Sequence, residues 1–291
     1  MVCKSTRVRI ARYLVRSTTR PRVGLERDGV LYDVQALEDA LGPAVEVPGD
    51  PWDFHTRVVA LGCAGLRELD AALLQGRRPA SAVVDRTDGF AALAPCDTDR
   101  ASFVQVDVRA PRPFVRLGAG RALAGQDELV DLPRGEHEPA IEVSLAMLLG
   151  EDLRDATLPE ARHAILGFAV LVDWCGREHE RAAWPHETVK GLRGSLGPEL
   201  VAQAILPKAA PLRASVAIDG RTVELGAIGE LGQSPEQAVA LASSVLELRA
   251  GDVVGLGPFA PSIELRVDFH ARVAAAIERV GTLRGAAVPR R

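Results

Sequence analysis

Lysine is nearly absent from this 291-residue chain: Lys4, Lys190 and Lys208 are the only three, and arginine carries the rest of the positive charge. Each lysine is informative for that reason, because a lysine shifts its pKa and acts chemically in ways an arginine does not. Cysteine is scarce too. Cys3, Cys63, Cys96 and Cys175 lie far apart with no C-x-x-C pair, which excludes a zinc knuckle, a redox motif and a disulfide framework. The net charge is -4 and the sequence pI about 5.9. No block of like charge stands out, which excludes nucleic acid and anionic membrane as partners. No stretch approaches the ~18 apolar residues of a membrane span, and no N-terminal run is long enough for a signal peptide. The expectation is a cytoplasmic protein.

What is present is a full core. The chain is 47% hydrophobic and 25% charged, the balance of a globular protein, and its length exceeds one ordinary domain without reaching three. RVRIARYLV alternates like a strand. Arg27-Asp28-Gly29 sits between two strand-like runs as a hairpin signal, and a short helix follows over 34–41. Residues 54–76 carry apolar residues at helical steps, closed by Gly76 as a C-cap. Turn residues crowd 77–113, which places a boundary between domains of 1–105 and 106–291. Beyond it the pattern is mainly β with some α. AIEVSLAMLLG (140–150) and FAVLVD (168–173) read as buried strands, and 158–168 as a helix with Pro159 in its first turn. A hairpin turns at Asp219-Gly220. A helix over 234–248 opens with Ser234 as N-cap, Pro235 at N1 and Gln237 completing a capping box. Strand-like pieces follow at 251–257, 262–278 and 280–285.

The chemistry concentrates around GFAVLVDWCGREHE. Five apolar residues, Phe168 to Val172, run into Asp173, then into Cys175, Arg177, Glu178 and His179. A strand that ends in an acid directs that acid at a metal ion, at an arginine or at water. Glu142 and Ser144 lie two apart in the other buried strand, so they share a face. The plain alternatives are surface residues for Glu142 and Ser144, a turn former or N-cap for Asp173, a solvated face for Arg177 and Glu178, and a loop lysine for Lys190. Other templates fail. The glycines of RLGAGRALAG (116–125) do not match dinucleotide spacing, and neither G-x-S-x-G nor H-E-x-x-H occurs.

The order of the pieces resembles the C-terminal domain of the fumarylacetoacetate hydrolase family from about Pro133 to Leu283. A family strand E-x-E-L-A-x-x-x-G is matched by Glu142 to Gly150. A helix ending in G-Y-T-V-x-N-D-W-S-A-R-D is matched by GFAVLVDWCGRE. A lysine loop leading to L-G-P is matched by Lys190 and Leu196-Gly197-Pro198, and V-N-G by AIDG. L-x-P-G-D-V-I-x-T-G-T-P is matched by LRAGDVVGLGP, and the terminal G-I-G-T-L-R-N by RVGTLRG. The N-terminal segment is similar to the family's small leading β domain. The resemblance implies a mixed β-sheet roll or barrel preceded by a smaller α+β domain, usually as a homodimer. It also implies carbon–carbon bond chemistry beside carbonyls of 1,3-dicarbonyl or 2-oxo acids through an enolate, with a divalent ion held by carboxylates.

The departures shape the rest of the reading. Ser144 stands where the family's second glutamate would be, so Glu142 and Asp173 remain as a weak or vestigial site for Mg²⁺ or Mn²⁺. The family's G-x-N-Y-x-x-H loop falls near Arg116 to Leu123, without its histidine. Lys190, Arg177 and Glu178 are the expected catalytic residues, and Ser144, Arg193 and Gly257 the expected substrate contacts. Arg193 is the candidate for a cation near the lost ligand. The resulting expectation is a divergent enzyme, one that cleaves, decarboxylates, isomerises or cyclises a small carbonyl-rich molecule in specialised metabolism. The alternative is a catalytically inactive homologue serving as a partner or ligand-binding subunit.

Overall fold

A computed structural model describes residues 9–42, 68–87, 89–108, 112–178, 193–203, 212–261 and 264–290, with 58, 62 and 65 as single positions. Its strands are β1 (Arg9–Leu14), β2 (Arg22–Arg27), β3 (Val30–Asp33), β4 (Ala91–Leu93), β5 (Ser102–Asp107), β6 (Phe114–Ala119), β7 (Leu123–Ala124) and β8 (Leu129–Leu132). They continue as β9 (Pro139–Leu149), β10 (Ile165–Gly176), β11 (Arg193–Ala202), β12 (Arg213–Ile218), β13 (Arg221–Ala227), β14 (Val253–Gly257), β15 (Val273–Ile277) and β16 (Gly281–Pro289). The helices are α1 (Val34–Leu41), α2 (Leu158–Ala164) and α3 (Pro235–Val245), and residues 68–74 are also helical. The protein is mainly β with mixed sheets, as expected.

Local chemistry explains the element ends. The turns at Asp28-Gly29 and Asp219-Gly220 each carry two successive positive φ values, 53° and 81°, then 47° and 83°, the backbone that a two-residue hairpin demands. Asp33 caps α1 by accepting from the Ala36 N–H at 2.9 Å. Ser234 and Gln237 form the capping box of α3, and Gly76 ends the helical stretch at φ 80°. Three boundaries differ from expectation. α2 stops at Ala164 and the chain turns at once into β10, because Ile165 to Gly176 is buried on both faces and pairs with strands on both sides. The run GFAVLVDWCG is therefore strand rather than the end of a helix. α3 stops at Val245, since Leu248 bridges Leu153. Of residues 262–278, Val273–Ile277 forms a strand.

Among the described residues, eleven strands join in one sheet whose main path runs β3-β2-β1-β11-β10-β9-β14-β5-β6. Five more form a second sheet ordered β13-β12-β15-β16-β8. The N-terminal strands share the first sheet through the β1–β11 pairing, and position 105/106 falls inside β5, so the boundary drawn there from composition is no break in the hydrogen-bonded sheet. Both faces of β9 and β10 are covered, as a near-continuous apolar run requires. Val143, Leu145, Val172 and Trp174 face one core, while Ala146, Leu148, Ala169 and Leu171 face another.

Candidate functional site: an acidic cluster on the inner face of the sheet

Strand parity places the polar residues. Asp173 on β10 lies directly opposite Glu142 on β9, and Leu171 opposite Ser144, so Glu142, Ser144 and Asp173 share one face. β14 adds Gly255 and Gly257 to that face. β5 adds Gln105, in register with Gly255, and Asp107, in register with Gly257. β6 adds Arg116, opposite Gln105. The face is apolar at one end and carries this polar group at the other.

The group is deeply buried: Glu142 is 1% exposed, Asp173 2% and Asp107 3%. Two carboxylates on directly opposed strand positions repel one another, so the cluster needs a counter-charge. Arg116 provides it. Its Nη2 lies 3.8 Å from Asp107 Oδ2, 3.8 Å from Glu142 Oε2 and 4.0 Å from Asp173 Oδ2. On a flat sheet the four strand steps from β6 to β10 would put Arg116 and Asp173 about 19 Å apart at some 4.8 Å per step, beyond the reach of an arginine. The observed contacts therefore require this part of the sheet to curl, as in a roll. The glycines of β14 make room for that curl. A Cβ at Gly257 would strike the Ser144 side chain, and one at Gly255 the Gln105 side chain. In the space they leave, Gln105 Nε2 donates to Ser144 Oγ at 3.1 Å.

The expected site residues divide. Glu142, Ser144, Asp173 and Gly257 converge. Arg193 does not join them: it lies opposite Trp174, on the other face of the sheet, and its guanidinium pairs with Asp131 at 3.1 Å. Arg116, not Arg193, is the cation beside the missing ligand. The Glu178 carboxylate accepts from the His137 N–H at 2.8 Å, which ties it to the loop ahead of β9. Arg177 follows β10 and donates its backbone N–H to Glu138 O at 3.3 Å. Lys190 and His179 lie outside the described residues.

Arg116, Asp107 and Gln105 are the members that sequence reasoning missed. The signal was faint. Arg116 alternates with apolar neighbours in FVRLGA, as an inward strand residue would, but it stands in a segment read as a lost histidine loop.

The fit of a divalent ion follows from this donor set. The ligand atoms of Glu142, Asp173 and Cys175 lie within 4.8 Å of one another, a span that one ion bridges. Yet Mg²⁺ and ions like it want oxygen ligands at about 2.1 Å. Here the donors are two carboxylates, a neutral serine hydroxyl and a soft thiol, with a guanidinium among them. At about 4 Å and an effective dielectric near 20, that guanidinium repels a divalent ion by on the order of 8 kcal/mol. With Arg116 in place, these residues do not fit a tightly held Mg²⁺ or Mn²⁺.

Comparison with known proteins agrees with the architecture. The family model for the fumarylacetoacetate (FAA) hydrolase C-terminal domain matches residues 91–287. A protein of Burkholderia multivorans named as a putative hydrolase is 26% identical over 241 residues, covering 80% of this chain and 83% of its own. Maleylpyruvate hydrolase from Sphingobium sp. SYK-6 superposes with a TM-score of 0.72 at 19% identity, over 97% of this chain and 100% of that one. The same hydrolase has been crystallised with manganese(II) and pyruvate. The 2-hydroxyhepta-2,4-diene-1,7-dioate isomerase of Mycobacterium marinum superposes with a TM-score of 0.70 at 18% identity, over 97% and 99% of the two chains.

Proposed function

This chain belongs to the fumarylacetoacetate hydrolase family, and from that premise we propose that it is an enzyme acting on a small 1,3-dicarbonyl or 2-oxo acid through an enolate. The supporting observation is the buried facing pair Glu142 and Asp173. A carboxylate held in a water-poor site takes or returns a proton α to a carbonyl, and fixed cations stabilise the oxyanion that develops. Arg177 and Lys190 supply positive charge for the enolate or the substrate carboxylate, and Ser144 and Gly257 shape the floor. The outcome is carbon–carbon cleavage, decarboxylation, isomerisation or cyclisation. Two of the superposing proteins are named for action on unsaturated oxo or hydroxy acids, which supports the substrate class. Mg²⁺ or Mn²⁺ binds weakly, and no step depends on it. The protein works as a cytoplasmic homodimer.

A panel of 2,4-dioxo acids and β-carboxylated 2-oxo acids tests this, with loss of enol absorbance and release of pyruvate followed together. Turnover of at least one member is expected, falling by about 100-fold or more in Asp173→Asn with native circular dichroism retained. Silence across the panel sinks the enzyme reading. It favours the second reading, a non-catalytic partner or ligand-binding subunit, for which the Ser144–Gln105 hydrogen bond in place of a second glutamate speaks.

A further inference from the structure

We propose that the Arg116 guanidinium is the resident cation of the acidic cluster, standing where a divalent ion would otherwise be held, so that the native chain excludes such ions and loss of this one side chain creates a site for them. This goes beyond the proposed reaction and does not depend on it.

Four observations carry it. Nη2 is spaced nearly evenly from three carboxylates on three strands, at 3.8, 3.8 and 4.0 Å, so it sits among them rather than pairing with one. Those distances lie beyond hydrogen-bond reach, so the guanidinium meets each carboxylate through charge alone. The Arg116 side chain is only 9% exposed, and its Nε and Nη2 make no hydrogen bond among the described residues. It is therefore held by charge and enclosure, not by a directed fork. Finally, Glu142, Asp173 and Cys175 keep their ligand atoms within 4.8 Å of one another, so the vacated space would retain donors that a single ion can reach.

The charges make the exchange specific. Removing Arg116 takes one positive charge from the space between Glu142, Asp173 and Asp107, and a buried acidic cluster that loses a cation recruits another cation or a proton. A divalent ion restores the balance with two charges instead of one.

Manganese(II) alone is the probe, added to chelator-treated full-length protein and followed by loss of the free-ion paramagnetic resonance signal and by calorimetry. The native protein is expected to bind Mn²⁺ no more tightly than about 1 mM. Arg116→Gln is expected to bind it at least about tenfold more tightly and to gain thermal stability on adding it. A second change, Asp173→Asn in the Gln background, should cancel the gain. Arg116→Lys keeps a cation and should exclude Mn²⁺ like the native chain. If Arg116→Gln does not fold alone, Mn²⁺ present during refolding should restore it. Submicromolar binding by the native protein overturns the proposal. So does a Gln variant with no gain or no rescue, a gain that survives Asp173→Asn, or a Lys variant that binds as well as the Gln one.

Discussion

Arg116 is the residue on which the acidic cluster balances. Deleting one partner of a buried charge group costs about 3–5 kcal/mol. Urea unfolding of Arg116→Ala should show a loss of that size without added metal. Asp252 is a second buried acid with a different task. It accepts the Ser102 N–H at 2.7 Å and the Arg249 N–H at 2.8 Å, tying the start of β5 to the turn ahead of β14. Burial pushes its pKa up, partly opposed by those hydrogen bonds. Because its folded pKa lies above its unfolded one, its protonated form favours folding: that contribution is full below the ordinary carboxylate range and is lost as pH rises through the raised value. Asp252→Asn should therefore flatten the stability profile over that interval in calorimetric scans against pH.

At the scale of elements, β14 decides whether the site closes. Its two inward glycines leave room for Ser144 and Gln105 to meet, and alanine at either position meets a side chain with little slack. Gly257→Ala should cost about 1–3 kcal/mol by overpacking, visible as a lowered urea midpoint. Gly220→Ala in the distant hairpin forces φ 83° on a residue with a Cβ and should cost about 1–2 kcal/mol with no effect on metal exclusion at Arg116. Measured together, the two variants separate a site effect from general weakening. The hairpins, the capping box of α3 and the buried runs of β9 and β10 were legible because each is written within a dozen residues. The switch from α2 to β10 at Ile165 was not, since the apolar pattern is continuous across it and only pairing with β9 and β11 ends the helix.

At the scale of the whole molecule, the two sheets are joined through Asp131 on β8. Its carboxylate takes Arg290 at 2.6 Å and, from the first sheet, Arg193 at 3.1 Å. The hydrogen bond from Arg290 chiefly holds its pKa below the ordinary value, with Arg193 adding to the effect. A depressed folded pKa means the tie stabilises the fold above the unfolded carboxylate pKa and is lost as pH falls through the folded one. Asp131→Asn should lower the melting temperature slightly at neutral pH, the tie being half-exposed and screened, and the gap to the native protein should close on acidification.

The sequence alone determined the local grammar and the family likeness: turns, caps, strand runs, and the two acids that those runs carry. Each depends on neighbours along the chain. Tertiary structure decided which cation meets those acids. Arg193 looked equally suitable in sequence, but pairing opposite Trp174 turns it to the far face, whereas Arg116 reaches Glu142 and Asp173 because β14 and β5 insert between the strands and the sheet curls. Strand order and curvature arise from pairing between distant segments and from packing on both faces. The pattern of any one segment does not contain them.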